Sequence, residues 1–270
     1  MIRMIVTDLD GTLLGGRGEL PEENLRALRR AMAAGCKVVL ATGRMPEATL
    51  PLAEEIGVNA PLMLFNGGMA YDAQRGEALS GITMDRDIAA RILRAVEAEG
   101  VYVQAFLRSG YCYARYSEKW SAYFENKIKV KGREAGMPLS EWLREDVYKL
   151  ICLDESERLE ALAEKLRAMF PEVNVMKSAK THLEIIRRDV DKARGLQIIG
   201  ELTGVKPEEM LCFGDEKNDA PMLRYAGTSY VMANASADML EAADHIAPPN
   251  TEHGVAYVIN RYLDEGKMGG

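Results

Sequence analysis

The 270-residue sequence predicts an α/β fold: a helix-covered parallel sheet, interrupted by an inserted α+β segment. Three observations carry this. Short apolar runs at Met4–Thr7, Val38–Ala41, Leu62–Phe65 and Met210–Phe213 read as strands buried on both faces, as a covered parallel sheet requires. Helical patterns alternate with them. The middle of the chain instead carries consecutive strand signals joined by short turns.

The elements follow in order. After the first strand, Pro21–Ala34 has Pro at its start, Glu22 and Glu23 in its first turn and Arg29 and Arg30 near its end, with Gly35 just beyond. That is the charge order a helix dipole favours, closed by a glycine stop. Pro46 opens the helix after the second strand. In the middle, Asp85 is placed to cap a helix with Ile88, Ile92 and Val96 spaced by four, ending at Gly100. Val101–Leu107 and Tyr111–Arg115 flank Arg108-Ser109-Gly110, a hairpin signal. Tyr148–Leu153, Val173–Met176 and Leu183–Ile186 read as strands, and Glu155–Phe170 as a helix. Lys127, Lys129, Lys131 and Arg133 alternate as on one face of a strand, and a solvated face explains them. Trp120, Tyr123 and Phe124 read as packing within a small domain. A further helix starts at Lys192, beside Asp191, and runs to about Thr203. The expected organisation is one domain of residues 1–81 and 190–270, with a second, 82–189, inserted into it.

Charge divides along the same line. Residues 82–189 carry 19 Lys and Arg against 18 Asp and Glu, a net of +1, while the remainder carries 15 against 23, so the α/β part holds a net of −8 and the whole chain −7. That balance excludes nucleic acid as a main partner and disfavours an anionic membrane surface. No apolar run approaches the roughly 18 residues of a membrane span, and the N-terminus lacks the pattern of an export signal. The four cysteines, Cys36, Cys112, Cys152 and Cys212, form no C-x-x-C pair. Reduced, buried thiols in a cytoplasmic protein are expected. The scattered His182, His245 and His253 suggest no metal site. There is no dinucleotide fingerprint, since Pro21 occupies the place of the third glycine, and no P-loop or G-x-S-x-G.

Four motifs sit where strands end or helices begin, and ligands of open α/β sheets bind beyond the carboxyl ends of strands. Asp8-Leu9-Asp10-Gly11-Thr12-Leu13-Leu14 follows the first strand. Two such carboxylates repel unless a cation compensates, and a hard divalent ion with oxygen ligands does so. Thr42-Gly43-Arg44 follows the second strand, offering a hydroxyl and a backbone N–H to a phosphate oxygen. Lys192 stands in the first turn of a helix, against the dipole by about 0.3–1 kcal/mol; an anion within reach of its ammonium explains the anomaly. Gly214-Asp215-Glu216-Lys217-Asn218-Asp219 follows the last strand, with Asp215 and Asp219 four apart and so on one face if a helix begins there. Each alone has an ordinary structural reading. Together they supply carboxylates for a metal and a nucleophile, and a hydroxyl and a cation for phosphate.

With these motifs, Asn66-Gly67-Gly68, Asn234-Ala235, Asn250 and His253-Gly254-Val255 in place, the chain resembles the haloacid dehalogenase superfamily along nearly its whole length. The likeness is to Cof-type phosphatases of subfamily IIB. It implies a Rossmann-like core with a parallel sheet, residues 1–81 and 190–270, and a C2B-type cap domain, residues 82–189. It implies a Mg2+-dependent phosphatase acting on a small phosphorylated metabolite, with sugar phosphates as the leading class, through an aspartyl phosphate. Asp8 would be the nucleophile and Asp10 the acid and base. Thr42, Gly43, Lys192 and Asn218 would bind the phosphate. Asp8, the carbonyl of Asp10 and Asp215 would ligate magnesium, with Asp219 ligating through water or orienting Asp215. A monomer or homodimer is expected. The alternatives are a phosphomutase of the same superfamily, and a non-catalytic switch using Asp8 as a stable phospho-acceptor. The large insert and Asp10 argue against the switch.

Overall fold

The computed structural model describes residues 1–269. The chain divides into two compact units, one of Met1–Ser80 with Asp191–Gly270 and the other of Gly81–Val190.

The first unit is built on a five-stranded parallel sheet. Its order across the sheet is His245–Ala247, Thr228–Met232, Met210–Gly214, Met4–Thr7 and Lys37–Leu40. Met4–Thr7 can be an interior strand, between Met210–Gly214 and Lys37–Leu40, because every one of its residues is apolar or, in Thr7, has a hydroxyl that can donate to the next carbonyl, that of Asp8, at 2.8 Å. All four are buried, as a strand covered on both faces must be. Alternate residues Met4, Val6, Val39, Met210, Cys212 and Val231 join Leu196 and Ile199 of helix Lys192–Thr203 and Met222 and Leu223 of helix Ala220–Tyr225 in one core. Helices Glu22–Ala33 and Gly254–Asp264 pack on each other and bury Leu25, Leu28, Val255, Val258 and Ile259. The register sets Thr7 opposite both Phe213 and Leu40. Asp8, Asp215 and Thr42 therefore emerge from neighbouring strand ends on one side of the sheet.

The second unit is a six-stranded sheet in the order Val173–Ala179, His182–Arg187, Lys149–Leu153, Tyr102–Leu107, Gly110–Tyr113 and Arg133–Glu134, antiparallel except for the last pair. Helices Arg86–Ala98 and Ser156–Met169 bury Ile92, Leu93, Val96, Leu159, Leu162 and Leu166 against one face. Asp85 caps the first of these by accepting from the N–H groups of Asp87 and Ile88. The hairpin at Arg108-Ser109-Gly110 forms, with Gly110 at a φ of 112°.

Three local readings change. The run read as a parallel strand over Leu62–Phe65 is a strand only over Leu62–Leu64, and it pairs antiparallel with Met69–Asp72 in a separate three-stranded sheet. Lys127 lies in helix Ser121–Ile128, not in a strand; Ser121 and Phe124, three apart, are buried and set the helical period, and only Arg133–Glu134 of that stretch pairs in the sheet. Asp215–Asp219 is a turn, not helix, and the following helix begins at Ala220. All four cysteines are buried and unpaired. Among the described residues no helix is long and apolar enough to cross a membrane.

Candidate active site

The site is assembled from the loops that leave the sheet. After Asp8 the chain makes one wide turn over Leu9–Leu13, closed by the Leu14 N–H donating to the Leu9 carbonyl at 2.9 Å. Asp10 (φ −78°, ψ 114°) and Gly11 (φ 85°) depart from helical geometry within it. Gly11 is required twice over. Its φ lies in the left-handed region, and a Cβ there would stand 2.2 Å from the Asp215 carboxylate. Three asparagines hang the turn in place. Asn234 donates to the Gly11 carbonyl at 2.9 Å, Asn250 to that of Leu14 at 2.8 Å and Asn24 to that of Leu13 at 2.7 Å.

Lys192 is the centre of charge. It opens helix Lys192–Thr203 and is wholly buried. Its ammonium donates to Asp8 Oδ1 at 2.6 Å, to Asp219 Oδ1 at 2.5 Å and to the Ala41 carbonyl at 2.9 Å. Those are all three of its protons. Burial works against its charge, but Asp219 and Asp8 outweigh burial and raise its pKa. The helix can start this close because two glycines abut: a Cβ on Gly195 would lie 2.5 Å from the Gly67 Cα.

Around the lysine stand three buried carboxylates, Asp8, Asp215 and Asp219, with one oxygen from each lying within 4.8 Å of the others. Burial pushes the Asp8 carboxyl up to about 8; Lys192 pulls it down, while Asp219 and Asp215 add to the rise. Burial likewise raises Asp215 to about 6, against the Thr12 hydroxyl, which donates to Asp215 Oδ1 at 2.6 Å. Three carboxylates against one buried cation leave an excess of negative charge. The donor set is oxygen only. Both facts fit a hard divalent cation.

Asp219 differs from its neighbours because both its oxygens are engaged. Oδ1 accepts from Lys192, and Oδ2 from the N–H groups of Asp215 and Glu216 at 2.9 and 3.0 Å. This orients Asp215 by closing the turn.

On the far side, the Thr42 hydroxyl oxygen accepts from the Arg44 N–H at 3.2 Å, which leaves its proton to donate. Asn66, at a left-handed φ of 57°, approaches Gly43 so closely that a Cβ there would stand 3.0 Å from its amide. Asn218 donates to Asn66 Oδ1 at 3.1 Å. The Asp10 carboxylate is drawn away from the carboxylate trio, into a two-point pair with Arg44.

The structure thus gathers Asp8, Lys192, Asp215 and Asp219 at one point and places Thr42, Gly43 and Asn218 around Asn66. Sequence reasoning quoted Thr12, Asn66, Arg44, Asn234 and Asn250 within motifs but without roles. For Thr12, the signal is a polar side chain buried in the turn directly after the acidic pair.

The profile of the haloacid dehalogenase-like hydrolases matches residues 5–259. The chain belongs to this family. Among its relatives, a 5-amino-6-(5-phospho-D-ribitylamino)uracil phosphatase of Bacillus subtilis is 28% identical over 262 residues, covering 97% of this chain and 96% of its own. A crystal structure from Thermotoga maritima is 32% identical with a TM-score of 0.87, covering 97% of both chains. A sugar phosphatase of haloacid dehalogenase subclass IIB shares the fold at 21% identity, with a TM-score of 0.82 over 97% of this chain and 99% of its own. The family and its relatives make this haloacid dehalogenase-like hydrolase a phosphatase acting on phosphoric monoesters. Hydrolases of the family use a divalent metal, and the acidic trio is the group of residues suited to hold it.

Proposed function

We propose that this hydrolase moves the phosphoryl group of a small phosphorylated metabolite to Asp8 and then to water, with Mg2+ as cofactor. The observation that carries the reading is the Asp8 carboxylate, set at the end of the buried strand Met4–Thr7 and gripped by a fully buried lysine. A carboxylate oxygen of Asp8 attacks phosphorus as the bond to the leaving oxygen breaks. Asp10 gives that oxygen a proton, then takes one from the water that opens the aspartyl phosphate. The Thr42 hydroxyl and the Gly43 N–H bind phosphoryl oxygens, and Asn218 supports them from its bond to Asn66. Lys192 is saturated, so it reaches a phosphoryl oxygen only by releasing a partner. The Asp8 oxygen gives up its negative charge on bonding to phosphorus, and the ammonium then turns to the transferring group.

Asp8, Asp215 and the main-chain carbonyl of Asp10 would hold the magnesium ion, with Asp219 orienting Asp215. When bound, the ion offsets the negative charge of the carboxylates and of the phosphoryl oxygens.

We assign the chemistry to residues 1–81 and 190–270, where every proposed site residue lies, and a cap-type role to 82–189. Sugar phosphates are the substrate class we favour; the relative acting on a phosphorylated D-ribityl compound supports this. Four unpaired buried thiols support a reducing, cytoplasmic setting. The test is phosphate release from sugar phosphates, nucleotides and cofactor phosphates, with and without magnesium, beside Asp8→Asn. Magnesium-dependent release lost in the variant is expected. Release that survives in Asp8→Asn, or is indifferent to a chelator, would sink the reading.

A further inference from the structure

We propose that Arg44 is a positioning residue for Asp10, an inference that rests on the function proposed above. Its guanidinium grips the Asp10 carboxylate side-on, Nε to Oδ2 at 3.0 Å and Nη2 to Oδ1 at 2.5 Å. The Asp10 side chain is 66% exposed and that of Arg44 31%. An ion pair so open to water contributes little to stability, so stability does not account for it. A two-point grip does something else: it sets the plane of a carboxylate, which the point charge of a lysine does not do.

The arginine is itself held firmly. Its N–H donates to the Thr42 hydroxyl at 3.2 Å, and its carbonyl accepts from the Phe65 N–H at 3.2 Å. Phe65 and Asn66 take left-handed φ values of 52° and 57° at that point. Such backbone costs a non-glycine residue free energy and persists only where the surroundings over-determine it. Asp10, in contrast, sits in an irregular turn beside Gly11, and without a partner its exposed carboxylate would be free to change rotamer. An acid–base group must point at the atom it serves, since misplacement by about 1 Å can cost about a hundredfold in rate. Arg44 therefore joins the phosphate side of the site, at Thr42, to the leaving-group side, at Asp10, through one braced bulge.

The test is a double-mutant cycle of Arg44→Ala and Asp10→Asn, with kcat and KM measured on an alkyl phosphate and on p-nitrophenyl phosphate. An alkoxide needs a proton to leave, whereas nitrophenolate leaves readily without one. Arg44→Ala is expected to lower kcat on the alkyl phosphate about ten- to a hundredfold, within the range of acid–base contributions, with KM changing less than about threefold. With p-nitrophenyl phosphate it should keep a fast first equivalent of nitrophenolate ahead of slow turnover. In the Asp10→Asn background the same change should alter kcat by less than about twofold, because the two residues act as a unit. Arg44→Lys, which keeps the charge and loses the fork, should recover only part of the rate. Multiplicative effects in the cycle, or a loss residing in KM on both substrates, would overturn the inference and leave the proposed function intact. Activity surviving in Asp8→Asn would overturn both.

Discussion

At the residue scale the site is a cluster of charges that burial disfavours and the fold enforces. Asp215 owes its orientation to two partners: the Thr12 hydroxyl donates to its Oδ1, and its own N–H donates to Asp219 Oδ2, closing the turn. Groups that orient a metal ligand typically contribute about 10–100-fold in metal affinity. Thr12→Val, nearly isosteric, is therefore expected to raise the magnesium concentration for half-maximal activity by about that factor; an unchanged titration would contradict it. The pKa shifts carry a second expectation. Both Asp8 and Asp215 are raised, so the metal-free folded protein holds these protons more tightly than the unfolded chain. Stability from them is fully present below the ordinary carboxylate range. It is lost as pH rises through about 6 for Asp215 and about 8 for Asp8. Lys192, raised from an already high value, is charged in both states across that window and adds no slope. Under the proposed function, magnesium would bind the ionised set and so compete with these protons. In chelator, Tm should fall between pH 5 and 8, and the gain on adding magnesium should widen over the same range. An equal gain at both pH values would count against the shifts.

At the element scale, close approach matters as much as charge. Helix Lys192–Thr203 delivers its lysine because Gly195 lies against Gly67 and Met63. Helix propensity alone says that Gly195→Ala should stabilise by about 1 kcal/mol. The added Cβ, however, would stand 2.5 Å from backbone and 2.9 Å from the Met63 side chain. Overpacking of this kind costs about 1–3 kcal/mol and would shift the helix, so the variant should lose both denaturant stability and kcat. A neutral or stabilised protein would show that the contact is not tight. In the second unit, His182 is buried on its strand beside the rings of Tyr123 and Phe124, its Nε2 without a hydrogen-bond partner. Burial depresses its pKa to about 4, with the Lys127 charge assisting. A histidine held neutral contributes stability above its unfolded value near 6.5, and this is lost as pH falls toward 4. His182→Phe should blunt the loss of Tm over that interval; an unaltered acid limb would show that the ring is free to charge in the folded state.

At the scale of the whole molecule, what the sequence discloses follows from the range of the interactions. The buried strands and their carboxyl ends are legible because they depend on local apolar runs, and Lys192 is legible because its charge opposes its own helix. Thr12 and Asn250 are not, since their partners lie 203 and 236 residues away and only the folded sheet brings them together. The Lys127–Arg133 stretch shows the opposite failure. Its period-two alternation is a local signal that lost to the burial of Ser121 and Phe124. The strand Thr228–Met232 and the helix Gly254–Asp264 carry no chemistry of their own, but they bring Asn234 and Asn250 to the Asp8 loop. The proposed function makes one carboxylate, that of Asp8, the phosphoryl acceptor. The most direct measurement is to mix enzyme, magnesium and a turned-over substrate, quench in acid within the first turnover, and locate the phosphoryl group by peptide mass spectrometry. The account predicts phosphate on Asp8, absent without magnesium and absent in Asp8→Asn. Turnover with the phosphoryl group on another residue, or on none at any time within the first turnover, would contradict it.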